Sequence, residues 1–333
     1  MNDFGGGAME FTADVLRLDS EAEVGRIAEI VRTQVLADLR RRGVVVGLSG
    51  GVDSSVVAAL CVRALGAERV FGLLMPEKES ETDSLRLGRT VADGLGIRTA
   101  VEDVGPVLEA AGCYRRRDEA IRSVIPEYTE EWRSKLVLSR PTQGAGFTVF
   151  LLELLSPDGD RSRVRLPVDA YLAVVAATNF KQRVRKMFEY HHADRLNYAV
   201  AGTPNRLEFD QGFFVKGGDG SADLKPIAHL YKTQVYQLAE WLGLPREVRE
   251  RPSTTDTFSL PQSQEEFFFS VPLGTLDLCL YGLNHGVPAR QVAGVIGMTP
   301  EDVYLIFKDI ESKRQGTRYL HRSALLMEEI LEE

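Results

Sequence analysis

The stretch Val44–Leu60 reads VVVGLSGGVDSSVVAAL; it opens as a strand and closes as a helix. Val44 to Leu48 is a continuous apolar run, as expected of a strand buried on both faces. Ser54 to Leu65 has helical apolar spacing, with Gly66 placed to stop it. The turn between them is Leu48-Ser49-Gly50-Gly51-Val52-Asp53-Ser54-Ser55. A glycine-rich turn between a strand and a helix N-terminus forms an anion site. Backbone N–H groups converge there, the helix dipole adds positive charge, and glycine lets phosphate approach the backbone. The common ATPase loop, G-x-x-x-x-G-K-[ST], supplies a lysine; this turn supplies Asp53 and the hydroxyls of Ser49, Ser54 and Ser55 instead. An aspartate beside phosphates is repelled unless a cation intervenes, so Asp53 reads as a Mg²⁺ ligand. Without its flanks the same turn would be a Gly-Gly bend with Asp53 as helix N-cap. The buried strand before it and the apolar helix after it favour the phosphate reading.

Outward from this stretch the pattern alternates. Glu21 to Arg42 places Val24, Ile27, Ile30, Val31, Val35 and Leu39 at helical spacing. Arg69 to Met75 is a second strand, Asp83 to Leu95 a helix closed by Gly96, and Thr99 to Val104 a third strand. The βαβαβ alternation predicts an α/β fold with a doubly wound, mostly parallel sheet flanked by helices. Residues 113–168 break the rhythm. There Phe147–Leu155 and Arg161–Leu166 flank Ser156-Pro157-Asp158-Gly159-Asp160, a hairpin signal, with Lys135 to Leu138 as a further strand. Asn179 to Leu196 is a basic helix, Tyr198 to Gly202 a short strand and Leu230 to Leu242 a helix. From about Val271 the chain is helical. The expected organisation is one α/β domain over 1–333, with 113–168 an insertion carrying the β-hairpin and 271–333 a helical C-terminal extension.

With 44% hydrophobic and 26% charged residues over 333 positions, the chain has ample material for a core. A net charge of −8 argues against a nucleic-acid partner, which needs a basic face. Three widely spaced cysteines, Cys61, Cys113 and Cys279, point to neither a disulfide framework nor a zinc site; Cys61 reads as a small buried hydrophobe. No segment approaches the roughly 20 apolar residues of a membrane span, and MNDFGGGAMEF lacks the features of a signal peptide, so no membrane association and a cytoplasmic location are expected. No G-x-S-x-G and no Cys/His pair with a local signature calls for covalent catalysis.

SGGVDSS resembles the SGGxDS pyrophosphate-binding motif of the ATP pyrophosphatases. These enzymes split ATP between the α and β phosphates, adenylate a substrate and release pyrophosphate. Downstream, Gly202-Thr203-Pro204-Asn205-Arg206-Leu207-Glu208 precedes Gly212-Phe213-Phe214-Val215-Lys216-Gly217-Gly218-Asp219-Gly220-Ser221-Ala222-Asp223, and Leu230-Tyr231-Lys232-Thr233-Gln234 follows. This block resembles the ammonia-dependent NAD synthetase family, whose members carry GT-x-[HN]-x-x-E, G-F/Y-F-T-K-x-G-D-G-x-A-D and L-x-K-x-Q runs at these spacings. Asn179-Phe180-Lys181-Gln182-Arg183 is similar to the family's N-x-x-A-R helix start. The likeness covers most of residues 20–112 and 175–283.

The resemblance implies the adenine nucleotide alpha hydrolase-like fold. It also implies amidation of deamido-NAD to NAD through an acyl-adenylate, with ATP and Mg²⁺ as cofactors and ammonia as nitrogen donor. Asp53 and Glu208 would hold Mg²⁺. Ser49, Gly50, Gly51, Val52, Ser54 and Ser55 would bind pyrophosphate. Thr203, Lys232 and either Ser253 or Thr254 match ATP-contacting positions, while Arg183, Lys216 and Asp223 match positions holding the dinucleotide. Asp53, Lys216 and Lys232 would carry the catalysis. Lys313 matches one half of a C-terminal His-Lys pair, with Ser312 where the histidine would be. A homodimer is implied, and with no glutaminase motif in the chain, ammonia would be free or delivered by a separate subunit.

Plainer readings stand beside these. A helical lysine such as Lys232 is usually solvated, and Glu208 could simply cap or pair locally. Asp219 reads as a turn former, His191-His192 as surface or core, and Phe267-Phe268-Phe269 as packing. The span between Val104 and Asn179 is longer than the family's usual connection, and Pro204 departs from its loop. Both concern the substrate side, so a different adenylated carboxylate is the competing reading and a non-enzymatic nucleotide-binding regulator a more distant one. The insertion could be a substrate lid, a docking surface or a dispensable elaboration.

Overall fold

The first strand's apolar run is continuous because both of its faces are covered. In the computed structural model, which describes residues 11–139, 149–254, 257–269 and 271–328, β1 (Val44–Gly47) lies inside a four-stranded sheet. The sheet order is β3 (Arg98–Val101), β2 (Val70–Leu74), β1, β7 (Ala199–Val200), and every pairing is parallel. Successive side chains of β1 point to opposite faces. Val44 and Val46 pack with α1 (Ser20–Thr33), α2 (Val52–Leu65) and α8 (Lys232–Trp241), whereas Val45 packs with Phe71, Val200 and Ala193 of α6 (Val168–Leu196). Cys61 is fully buried on α2, as read.

Several boundaries differ from the sequence reading. The first helix gives way after Thr33 to a wider π turn, Gln34–Asp38, and ends where Arg40 takes a positive φ of 52°. The third strand stops at Val101, because Gly105-Pro106 starts the short helix α4 (Gly105–Ala110). The basic helix at Asn179 is the second half of α6, which begins at Val168; VDAYLAVVAAT contains no breaker, and its low charge hid its continuity with the basic half. The strand at Tyr198 reduces to two residues, with Ala201 bridging Leu224. Trimmed at both ends, the helix at Leu230 is α8, capped by Tyr231 and Gln234.

The hairpin is present and forms a second, antiparallel sheet with order β4 (Arg133–Ser139), β5 (Val149–Leu155), β6 (Arg161–Arg165). The expected start of its middle strand, Phe147 and Thr148, falls outside the described residues. Its inner face, Leu136, Leu152 and Leu154, packs on α5 (Cys113–Arg122) and on Ala170 and Val174 of α6. Past the short α9 (Arg246–Arg249), α10 (Leu273–Asn284), α11 (Ala289–Ile296) and α12 (Pro300–Thr317) enclose a separate apolar cluster with Leu207, Tyr231 and Phe269.

The phosphate-type turn is held by one backbone conformation. Gly50 has φ +73°, and a Cβ there would lie 2.7 Å from the Ser84 carbonyl oxygen and 2.8 Å from Leu87 Cβ on α3 (Thr82–Leu95). Gly50→Ala is therefore expected to cost about 1–3 kcal/mol, read as a lowered urea midpoint with an unchanged slope.

Candidate active site

Three local decisions bring the site together. Gly51 N-caps α2 without a side-chain bond, leaving the first-turn N–H groups of Val52, Asp53 and Ser54 free of intrahelical partners and facing the loop. Asn205 and Glu208 form a capping box that starts α7 (Arg206–Gln211), so a local N-x-x-E signal fixes the Glu208 side chain. Asp277 of α10 accepts from the N–H groups of Lys232 (3.1 Å) and Thr233 (2.6 Å), capping α8 from another part of the chain.

These decisions converge on Asp53. Lys232 Nζ is paired with Asp53 Oδ2, and Asn205 Nδ2 donates to Asp53 Oδ1 at 3.1 Å. Glu208 Oε2 accepts from the Asn205 N–H at 3.0 Å, and its Oε1 accepts from Gln264 Nε2 at 2.8 Å. Burial, reinforced by the neighbouring Asp53 charge, pushes the Glu208 carboxyl up to about 8. Desolvation of Lys232 works against its charge, but Asp53 and Glu208 outweigh it and hold the ammonium above its ordinary value. Far from being solvated, Lys232 is only 1% exposed.

A cavity of about 500 Å³ opens in front of this cluster. Ser49, Gly51, Val52, Asp53 and Ser54 line it together with Thr203, Glu208, Ser253 and Thr254, and so do Arg183 and Lys216, the Arg183 Nε donating to the Lys216 carbonyl at 3.3 Å. The structure thus brings together most of the residues singled out in the sequence. Five do not line the cavity. Gly50 faces α3, and the fully buried Ser55 donates its hydroxyl to the Gly51 carbonyl at 2.8 Å. Lys232 lies behind Asp53. Asp223 accepts from the Val200 N–H at 2.7 Å and from the Tyr190 hydroxyl, securing the end of β7. Lys313 donates to the Phe268 carbonyl and to Asp309, both at 2.6 Å, bracing the wall from outside.

Other contributors escaped the sequence reading. Arg251 lines the cavity, donates to the Ser49 carbonyl at 3.1 Å and pairs with Glu81 at 2.6 Å. Its place in RPSTTD, two residues before Ser253, was the available signal. Lys186 and Glu189 form a buried ion pair on the α6 side of the cavity. Phe267 and Phe268 both pack on Phe213, as read, and also line the cavity. Asp219 accepts from the Val215 N–H at 2.8 Å, as a turn former does, and also faces the cavity. His192 is buried between Glu102 and Arg195. Among the described residues no group of three or more His, Cys, Asp or Glu could hold a metal ion, and no helix is long and apolar enough to cross a membrane.

The NAD synthase family model matches residues 23–125 and 167–319. The chain is 59% identical over 319 residues to an NH(3)-dependent NAD(+) synthetase from Mesorhizobium japonicum, covering 96% of this chain and all of that one. The chain belongs to the NAD synthase family. Solved structures agree on the fold: an NMN synthetase from Francisella tularensis superposes with TM-score 0.62 at 19% identity, over 93% of this chain and 98% of that one. An NH3-dependent NAD synthetase from Campylobacter jejuni gives 0.61 at 20%, over 93% and 100%. The family model passes over 126–166, where the antiparallel sheet lies, whereas the Mesorhizobium alignment leaves too few residues uncovered to omit it.

In this NAD synthase family member the cap on α8 titrates in an accessible range. Burial pushes the Asp277 carboxyl from 3.8 up to about 6, against the pull of its bonds to Thr233 and Lys232. A folded-state value above the unfolded one means that this contribution to stability is full below about pH 4 and lost as pH rises through about 6. Asp277→Asn should remove that fall. Urea unfolding between about pH 4 and 6 checks it: the wild type should lose up to about 1.4 kcal/mol per pH unit relative to the variant. Parallel curves would contradict the assignment.

Proposed function

We propose that this protein is an ammonia-dependent NAD synthetase, amidating deamido-NAD with ATP and releasing AMP and pyrophosphate. The observation that carries this reading is the meeting of Asp53, Glu208 and Lys232 at the glycine turn, beside a cavity that Arg183 and Lys216 also line. The 59% identity to a relative of that name over nearly the whole chain supports it.

The donor set fits Mg²⁺. Asp53 and Glu208 offer oxygen ligands, and Glu208 is buried beside a like charge, an arrangement that a divalent cation relieves. Gln264 Oε1 is also buried there with no hydrogen-bond partner. Asp53 and Glu208 would hold the ion, a hard cation that takes oxygen ligands. When bound, Mg²⁺ would neutralise charge on the phosphates.

The protein's own residues do the rest by binding and orienting. The free N–H groups of α2 and the hydroxyls of Ser49 and Ser54 face the leaving pyrophosphate, and Arg251 adds positive charge at the same loop. Arg183 and Lys216 hold the dinucleotide so that its carboxylate oxygen meets the α-phosphorus of ATP. The carboxylate–phosphorus bond forms as the bond to pyrophosphate breaks. Ammonia then attacks the acyl carbon, AMP departs and the nitrogen loses a proton. Purified protein with ATP, Mg²⁺, ammonium and deamido-NAD should yield NAD and AMP in equal amounts. Asp53→Asn should lower turnover at least about a hundredfold and, by leaving the buried Lys232 without its counter-charge, should lower the urea midpoint as well. ATP binding without NAD formation would sink the reading, and pyrophosphate exchange with another acid would redirect it.

The homodimer belongs to the same proposal. On α6, Val168, Leu172 and Met187 are exposed by 71%, 54% and 53% at helical spacing, beside the cavity residue Arg183. This stripe suits a second copy covering the dinucleotide end of the cavity. Light scattering should give a dimer for the wild type and a monomer for Leu172→Glu; an unchanged mass would place any interface elsewhere.

A further inference from the structure

Among the described residues the antiparallel sheet supplies none to the cavity, yet its free edge grips one wall of it. In the order β4-β5-β6, β5 covers one edge of β4, and residues 259–262 run along the other. The Ser134 N–H donates to Ser259 Oγ at 2.9 Å, and the Leu260 N–H donates to the Ser134 carbonyl at 3.3 Å. Gln262 Nε2 donates to the Leu136 carbonyl. Lys135 Nζ donates to the Pro261 carbonyl at 3.2 Å and to Glu266 at 3.0 Å. Phe258 is buried in the sheet's core with Leu136 and Leu152. Two residues past this anchored stretch is Gln264, buried, with its Nε2 on Glu208 Oε1 and its Oε1 without a partner.

We propose that Gln264 is a positioning residue for the Glu208 carboxylate, and that the free edge of β4 sets where Gln264 stands. Glu208 is fixed by donors on two sides, the Asn205 N–H of its own helix start and the Gln264 amide from the far wall. The first is local to α7. The second is carried by a wall that has no regular structure at 257–262 and is held by β4, by Lys181 at the Thr257 carbonyl and by the Gln264 N–H, which donates to the Ser253 carbonyl at 3.0 Å. A buried carboxylate has few donors to spare, and displacement by a fraction of an ångström at a reacting site is costly. This assigns the sheet a function at the site with none of its described side chains in the cavity. The proposal rests on Glu208 facing the phosphates as read above.

The test is a double-mutant cycle on the full-length protein: wild type, Gln264→Leu, Lys135→Met/Gln262→Leu, and all three changes together. Readouts are kcat, KM for ATP, Tm and calorimetric binding of MgATP. Gln264→Leu should lower kcat by at least about tenfold with Tm nearly unchanged. The β4-edge variant should lower kcat in the same direction, and the combination should be no worse than Gln264→Leu, since both act through one amide. Multiplicative losses, or an edge variant that lowers Tm and leaves kcat intact, would overturn the proposal. If the edge variant does not fold, Ser259→Ala, which removes the acceptor for the Ser134 N–H and the hydroxyl's own bond to the Ser134 carbonyl, takes its place in the cycle. Should the wild type make no NAD, the functional reading fails separately. MgATP binding then decides the inference, which falls if Gln264→Leu binds as tightly as the wild type.

Discussion

The buried pairing of Lys232 with Asp53 is the constraint on which the rest of the arrangement depends. An ammonium 1% exposed is tolerable only with its counter-charge in place, because desolvation of an unpaired charge exceeds what packing returns. The pair therefore locks the N-terminus of α8 against the N-terminus of α2, joining parts of the chain 179 residues apart. Asp277 fixes the α8 end of this link by capping it from α10, and Asn205 adds α7 by bonding both Asp53 and the Glu208 backbone. One charge pair thus ties four helices to the turn after β1.

A second constraint lies on α6, whose length lets it serve both sheets. Its first half packs under the antiparallel sheet through Ala170 and Val174, and its last turns cover the parallel sheet through Tyr190, Ala193 and Leu196. Midway, Lys181 is buried and bonded to Glu77 at 2.8 Å, to Glu79 at 2.5 Å and to the Thr257 carbonyl at 2.8 Å. Arg117 of α5 shares Glu79, and the Tyr114 hydroxyl donates to Glu77 at 2.7 Å. This network fastens the loop after β2, the helix before the antiparallel sheet and the wall at 257 to one another. Buried charge of this kind contributes specificity of arrangement more readily than net stability.

The parts of the site that were legible in the sequence are those whose geometry is decided locally. The turn at Ser49–Ser55 follows from a buried strand, two glycines and a helix start, all within a dozen residues. Asn205 and Glu208 were within reach as a capping box. Asp223 and Lys313 were selected by their place in a pattern; their side chains bond the Val200 N–H and the Phe268 carbonyl and do not line the cavity. Lys232 was singled out by its place in the L-x-K-x-Q run, while its helical position taken alone read as solvated; its burial became visible only when α8 met α2. Gln264 and Asp277 carried no local signal, because each acts on a helix distant in the chain.

By itself the sequence determined the strand–turn–helix unit, the alternation that builds a parallel sheet, the hairpin and the residue types at the glycine turn. These rest on periodicity and backbone conformation, which operate over a few residues. Only the tertiary structure decided which side chains face the cavity and which brace it, where α6 begins, and that the antiparallel sheet grips the wall carrying Gln264. Those outcomes depend on burying charge beside counter-charge and apolar faces against each other across long stretches of chain, and pairings of that range leave no spacing in the sequence to read.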